Sequence, residues 1–204
     1  MPNWCTNTLI VKGDATELKM FIEDTIVNDE FTLNRLYPTP PELLEQSSPN
    51  VYRGDDEQEK AKHEDNVKSL TDRYGYNNWY DWRIYNWGTK WDASDSHVVS
   101  MEDDLLHVDF LSAWAPPYLW LRKIAPRFPK LRFSLTYYEE GMGFGGRSTW
   151  DYDHGFSDEE LDLCYHDEDG KDVAYDSDKG MYYYIESGEF IDDEDFIPSP
   201  YIKD

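Results

Sequence analysis

The 204-residue chain carries 43 acidic against 19 basic residues, a net charge of −24, and 16% of it is aromatic. The aromatic share can build a core and argues against wholesale disorder, while the charge disfavours nonspecific binding to nucleic acid or to an anionic membrane surface. No apolar run approaches the roughly 18 residues of a membrane span. Met1 to Thr6 lacks the basic opening of a signal peptide, and two cysteines cannot make a disulfide scaffold, so a soluble protein made in a cytosol is expected.

Asn3 to Gly13 is β-branched and aromatic and ends at glycine, so it reads as a first strand. Asp14 to Glu17 has capping-box spacing ahead of Leu18, Phe21, Ile22 and Ile26 at helical intervals, which predicts a helix over 14–28. Phe31 to Tyr37 is a short extended piece stopped by Pro38, Pro40 and Pro41, and Pro41 to Glu45 reads as a helical turn with proline near its start. After a polar loop, residues 56–74 are rich in charge and helix formers, and Val67, Leu70 and Tyr74 mark the narrow apolar stripe of a largely solvated helix. Residues 74–91 hold eight aromatics, and two readings are open for them. Either the rings anchor an insertion onto the sheet, with Trp87 and Trp91 mostly buried, or they wall a ligand site.

Val98 to Met101, an acidic turn at Glu102 to Asp104, and Leu105 to Trp114 predict a β-hairpin. A helix over 117–127 follows, with Leu119, Trp120 and Ile124 apolar and Pro126 near its end, and then a strand at 131–139. The order is βαββαβ, an α+β, ferredoxin-like split-βαβ core, interrupted after its first helix by a long helical and aromatic insertion. Glycines between Gly141 and Gly146 fit close backbone approach at a strand bend. From Leu161 onward, turns at Asp167 to Gly170 and Ser177 to Gly180 separate short strands in a meander. The expected division is a core at 1–146 with its insertion at 30–95, and an acidic β-hairpin extension at 147–204. Residues 141–204 alone hold nineteen acids and four bases.

Several strings carry a resemblance: Asn3-Trp4-Cys5-Thr6-Asn7, Tyr80-Asp81-Trp82, Asn86-Trp87-Gly88-Thr89-Lys90-Trp91-Asp92, Ala113-Trp114-Ala115-Pro116-Pro117, and Tyr137-Tyr138-Glu139-Glu140-Gly141 with Phe144 and Gly146. Through these, residues 1–146 resemble the phage- and plasmid-borne YubB-like proteins. The resemblance implies a mobile-element origin and a ferredoxin-like fold, and it implies no reaction.

The residues offer little catalytic chemistry. Two cysteines cannot supply the four thiolates of an iron–sulfur cluster. Asp167 to Asp172 lacks calcium-loop spacing, Asp151-Tyr152-Asp153-His154 is explained by composition, and the five histidines show no zinc spacing. No cofactor, metal or catalytic residue is therefore assigned. Trp82, Asn86, Trp87, Lys90, Trp91, Asp92 and Glu139 form the candidate pocket, with Lys90, Asp92 and Glu139 able to act as acids or bases. A Lys90–Asp92 or Lys90–Glu139 ion pair is the structural alternative. The second candidate site is an acidic partner-binding surface of Asp167, Glu168, Asp169, Asp176, Asp178, Asp192, Asp193, Glu194 and Asp195. The expected function is a phage or plasmid accessory protein that binds a basic host protein, such as a nucleic-acid-binding defence factor, as a counter-defence inhibitor. No direct nucleic-acid or membrane binding is expected, and a homo-oligomer through sheet edges stays open. The alternative is a small-molecule binder or enzyme using the Trp82–Asp92 segment.

Overall fold

The computed structural model describes residues 3–176, 179, 181–192, 196 and 198–203. Strand β1 (Trp4–Gly13) leads into helix α1 (Ala15–Thr25), whose first turn is capped by the Asp14 carboxylate accepting from the Glu17 N–H at 3.1 Å. The helix stops three residues short of expectation. β-Branched Ile26 and Val27 form strand β2, which pairs with β3 (Glu30–Phe31) across Asn28 and Asp29, both at positive φ as a tight hairpin turn requires. The insertion then runs through α2 (Pro41–Leu44), α3 (Glu57–Tyr74) and α4 (Trp79–Trp87). In α3 only Leu70 is fully buried, so the helix is solvated as its sequence implies.

Strands β4 (Ser94–Met101) and β5 (Leu105–Ala113), helix α5 (Tyr118–Ile124) and strand β6 (Leu131–Glu139) complete the core. Helix α5 is shorter than predicted because Pro126 cannot continue it, and Ala125–Arg127 tightens into a 3₁₀ turn. β1 lies between β5 and β6, antiparallel to both, and β4 lies outside β5. That is the ferredoxin-like arrangement. Leu9, Val11, Leu106, Val108, Phe110, Phe133 and Leu135 face Leu18, Phe21, Trp120 and Leu121 to form the core.

The sheet does not end at β6. β7 (Phe144–Asp151) and β8 (Gly155–Glu160) continue it to six strands, in the order β4-β5-β1-β6-β7-β8, so the sheet runs across position 146. A second sheet of β9 (Asp162–His166), β10 (Asp172–Asp176), β11 (Met181–Tyr184) and β12 (Ser199–Lys203) has the order β11-β10-β9-β12. The second sheet packs close to β7 at Gly145, where a Cβ would lie 3.1 Å from the Leu161 carbonyl oxygen and would meet the end of the Ile202 side chain. The edges of the large sheet resist further pairing, since β4 is broken by register shifts and β8 carries Asp158, Glu159 and Glu160. Among the described residues no helix is long and apolar enough to cross a membrane.

Candidate functional site

The structure divides the candidate pocket among separate tasks. Trp82 and Trp87 lie in the core, 6.0 Å apart at a near-perpendicular angle, and Trp87 Nε1 donates to the Tyr37 carbonyl at 3.0 Å. Asn86 donates to the Trp82 carbonyl and accepts from the Tyr37 hydroxyl. Asp92 is a clamp: its carboxylate accepts from Thr32 Oγ1 (2.7 Å) and from the N–H groups of Leu33 (2.6 Å) and Ala93 (2.9 Å). Glu139 is almost fully buried, and its two oxygens accept from the N–H groups of Gly141 and Met142, which fixes the turn after β6. Lys90 forms neither expected ion pair. Its ammonium sits 4.3 Å from the ring centre of Trp91 and 5.9 Å from that of Tyr80. Trp91 is half-buried rather than interior, because it lies against Trp4, 6.0 Å away, where β1 begins. Residues adjacent in sequence therefore do not converge on one cleft: α4 turns Trp82 and Trp87 inward, and the chain after Gly88 carries Lys90 and Trp91 to the end of the sheet.

That sheet end gathers residues from four separated segments. β1 contributes Trp4, Cys5 and Asn7, the segment after α4 contributes Thr89 to Trp91, the end of β5 contributes Ser112 to Trp114, and the end of β6 contributes Glu139. Beneath the surface the polar groups are satisfied. Asn7 Nδ2 donates to Ser112 Oγ (2.9 Å) and to the Cys5 carbonyl (2.8 Å), Ser112 Oγ donates to the Ala115 carbonyl, and Thr89 Oγ1 bridges the backbone of Ala113. Burial pushes the Cys5 thiol up to about 12, so it stays a thiol. Above this network Trp4 and Trp114 are 37% and 41% exposed. Reading residues 74–92 as the site misses both. The signal that could have found them is their place in the Asn3–Asn7 and Ala113–Pro117 strings.

The acidic surface is similarly sorted. Asp167 is buried and spent on its turn, accepting from the N–H groups of Asp169 (3.0 Å) and Lys171 (2.8 Å), which together with the Tyr184 hydroxyl hold its carboxyl below the usual range. Its place is structural rather than at the surface. Glu168, Asp169 and Asp192 are exposed, with Asp169 3.8 Å from Lys171 Nζ. Asp176 lies at the end of β10 opposite Met181. Asp178, Asp193, Glu194 and Asp195 lie outside the described residues. The exposed set includes residues the sequence reading left out: Asp158, Glu159, Glu160 and Asp162 in and after β8, and Glu186 and Glu189 beside a groove of about 790 Å³ that Lys171, Asp172, Tyr184 and Ile185 also line. Asp151 accepts from the N–H groups of Asp153 and His154 and contacts His154 Nδ1, closing the β7–β8 turn.

Residues 86–182 match the family model for the ferredoxin-like domain in Api92-like protein. The matched stretch runs from the end of α4 into β11 and includes strands of both sheets, leaving out β1 and α1. This chain is also similar to the crystal structure of a protein api92 from Yersinia pseudotuberculosis, with a TM-score of 0.48 and 13% identity over 78% of this chain and 98% of that one. No curated protein matches it.

Proposed function

We propose that this protein is an accessory protein of a phage or plasmid that binds a basic surface of a host protein, in competition with nucleic acid, and so inhibits a nucleic-acid-binding defence factor in the host cytoplasm. The observation that carries the reading is the placement of the exposed acids. Asp158, Glu159, Glu160 and Asp162 follow one another from the edge of the large sheet into the small one, where Glu168, Asp169, Glu186, Glu189 and Asp192 are also exposed. Asp158 and Glu159 are paired with Arg122 and Arg147, and residues 148–192 themselves hold only Lys171 and Lys179 as lysines or arginines, which leaves Glu160, Asp162, Glu168, Glu186, Glu189 and Asp192 as the acids that carry the reading. Clustering matters, because a net charge of −24 spread over 12483 Å² is about one charge per 520 Å². Duplex DNA carries on the order of one per 100 Å². A uniform coat would fall well short of a mimic, so the reading requires the exposed acids to act as a cluster, which would steer a cationic partner.

The alternative, a small-molecule binder or enzyme acting through Trp82–Asp92, is disfavoured by the work those side chains already do. Trp82 and Trp87 are core, and each hydrogen bond of Asp92 holds backbone or Thr32.

Capture of host proteins on the immobilised chain tests the proposal. Binding should be lost as salt rises from about 50 to 300 mM and should be competed by duplex DNA, since exposed charges are screened over ~8–10 Å near physiological ionic strength. Reversing Asp162, Glu168, Glu186 and Glu189 to lysine should slow association at least tenfold without moving the melting temperature. Affinity flat in salt, together with a fully active reversed variant, would refute the acidic-face reading.

A further inference from the structure

The helices cover one face of the large sheet. Leu18 of α1, Leu43 of α2, Leu70 of α3, Trp87 of α4 and Trp120 of α5 all join the core cluster built on Leu9, Val11, Leu106, Phe133 and Leu135. Side chains alternate along a strand, so the residues between these strand positions point to the opposite, outer face. In its middle the pairing register sets Thr8 beside Asp109 and Thr136, and Ile10 beside His107 and Ser134. These six are half-buried, whereas Leu9, Val108 and Leu135 between them are fully buried on the core side. At one corner a Cβ on Gly145 would meet the end of the Ile202 side chain, so the second sheet bounds the outer face there.

The acidity of the chain stops at this face. Lys12, Arg132 and Arg147 there balance Asp109, Asp151 and Glu159, in a chain of net charge −24. β1 carries no charge from Thr6 to Ile10 and β6 none from Ser134 to Tyr138, so an uncharged centre is ringed by charges, as in protein interfaces. Six strands about 4.8 Å apart and about eight residues long give roughly 750 Å² per copy, close to the ~800 Å² per partner of a stable interface. We propose that this face joins two copies of the chain in a homodimer, about a two-fold axis that lies in the interface and crosses the strands between Thr8 and Ile10. That operation reverses the strands of the second copy and keeps each strand over its counterpart. Along β5 it sets Leu105 against Leu111, and His107 against Asp109, of the second copy. Along β6 it sets the Arg132 guanidinium against the Tyr138 ring, a cation on an aromatic face. Like charges do not meet in these pairs. An axis running along the strands between β1 and β6 would instead stack Lys12 on Arg132, which are cross-strand neighbours at one end of the face. His107 Nε2 and Asp109 Oδ1 already lie 3.5 Å apart within one chain, so the two-fold closes a ring of two histidines and two aspartates on the axis. The dimer stands apart from the acidic-face reading, because Glu160 pairs with Gly146 on the opposite side of the sheet and the other acids follow β8.

Sedimentation equilibrium of the full chain tests the proposal, run from about 1 to 200 μM at about 150 mM salt, where repulsion between the copies is screened beyond ~8 Å. The mass should rise over this range from 24.1 kDa towards twice that value. Ser134→Lys puts a charge at the uncharged centre and should weaken association by about tenfold or more while melting like the parent. His107→Asp sets carboxylate against carboxylate and should weaken association by about as much; adding Asp109→Lys turns that repulsion into attraction and should restore affinity to within about threefold of the parent. Rescue by the second substitution reports the register of the two copies, which a merely misfolded variant would not regain. A chain that stays at 24.1 kDa throughout overturns the proposal, as does a dimer that Ser134→Lys and His107→Asp both leave intact. Association lost in His107→Asp and not regained in the double variant overturns the two-fold arrangement.

Discussion

Replacing Trp87 with alanine probes the join between the insertion and the core. Trp87 is fully buried at the end of α4, with Trp82 edge-on at 6.0 Å, the Arg83 guanidinium 4.7 Å from its ring centre, and Nε1 donating to the Tyr37 carbonyl. Truncating a buried tryptophan costs about 3–5 kcal/mol through lost transfer energy and the cavity left behind. The Tyr37 carbonyl also loses its donor, which places the expected loss at the upper end, about 4–5 kcal/mol. For a chain of this size that corresponds to a fall in melting temperature of roughly 10–15 °C. Urea unfolding followed by far-ultraviolet circular dichroism measures it without relying on tryptophan fluorescence. Trp87→Phe separates the contributions: it keeps most of the ring and drops the hydrogen bond, so it should lose about 1–2 kcal/mol. A Trp87→Ala loss below about 1 kcal/mol would refute the placement of this ring as the anchor of the insertion.

Cys5 gives a prediction in pH. Its folded thiol titrates near 12 against an ordinary 9.0, so its contribution is fully present below pH 9 and is lost as pH rises from 9 towards 12, by up to about 4 kcal/mol. Cys5→Ala should flatten that part of the stability–pH curve, and superimposable slopes would contradict the assignment. Asp92→Ala strips three acceptor bonds and should cost about 2–4 kcal/mol, with faster hydrogen exchange at the Leu33 amide; unchanged exchange there would show that Asp92 is no clamp. In Gly146→Ala the new Cβ would sit 2.8 Å from the Glu159 carbonyl oxygen and 2.6 Å from the Tyr137 hydroxyl. It should destabilise by about 1–3 kcal/mol and expose β8 to limited proteolysis, and a cleavage pattern identical to the parent's would count against close β7–β8 packing at this position.

Strand and helix periodicity, capping residues and prolines determined the βαββαβ order, and with it the ferredoxin-like core, because those signals are local. Asp14 ahead of Leu18 and Phe21 marks a helix start whatever surrounds it. Burial of Trp87 was legible in the same way, as a large ring in a dense aromatic segment. Strands β7 and β8 were not, because glycines and consecutive acids disguise their alternation, and only pairing with β6 makes them part of the sheet. The candidate site was least legible. Lys90, Asp92 and Glu139 are all acid–base candidates in the sequence, yet tertiary contacts set the ammonium over an indole and tie the two carboxylates to backbone N–H groups. Trp4 and Trp114 stand 110 positions apart, and the β1–β5 register alone brings them to neighbouring rungs. Sequence carries what a segment does by itself, whereas a surface assembled from distant strands exists only once hydrogen-bonded pairing has fixed which rung meets which.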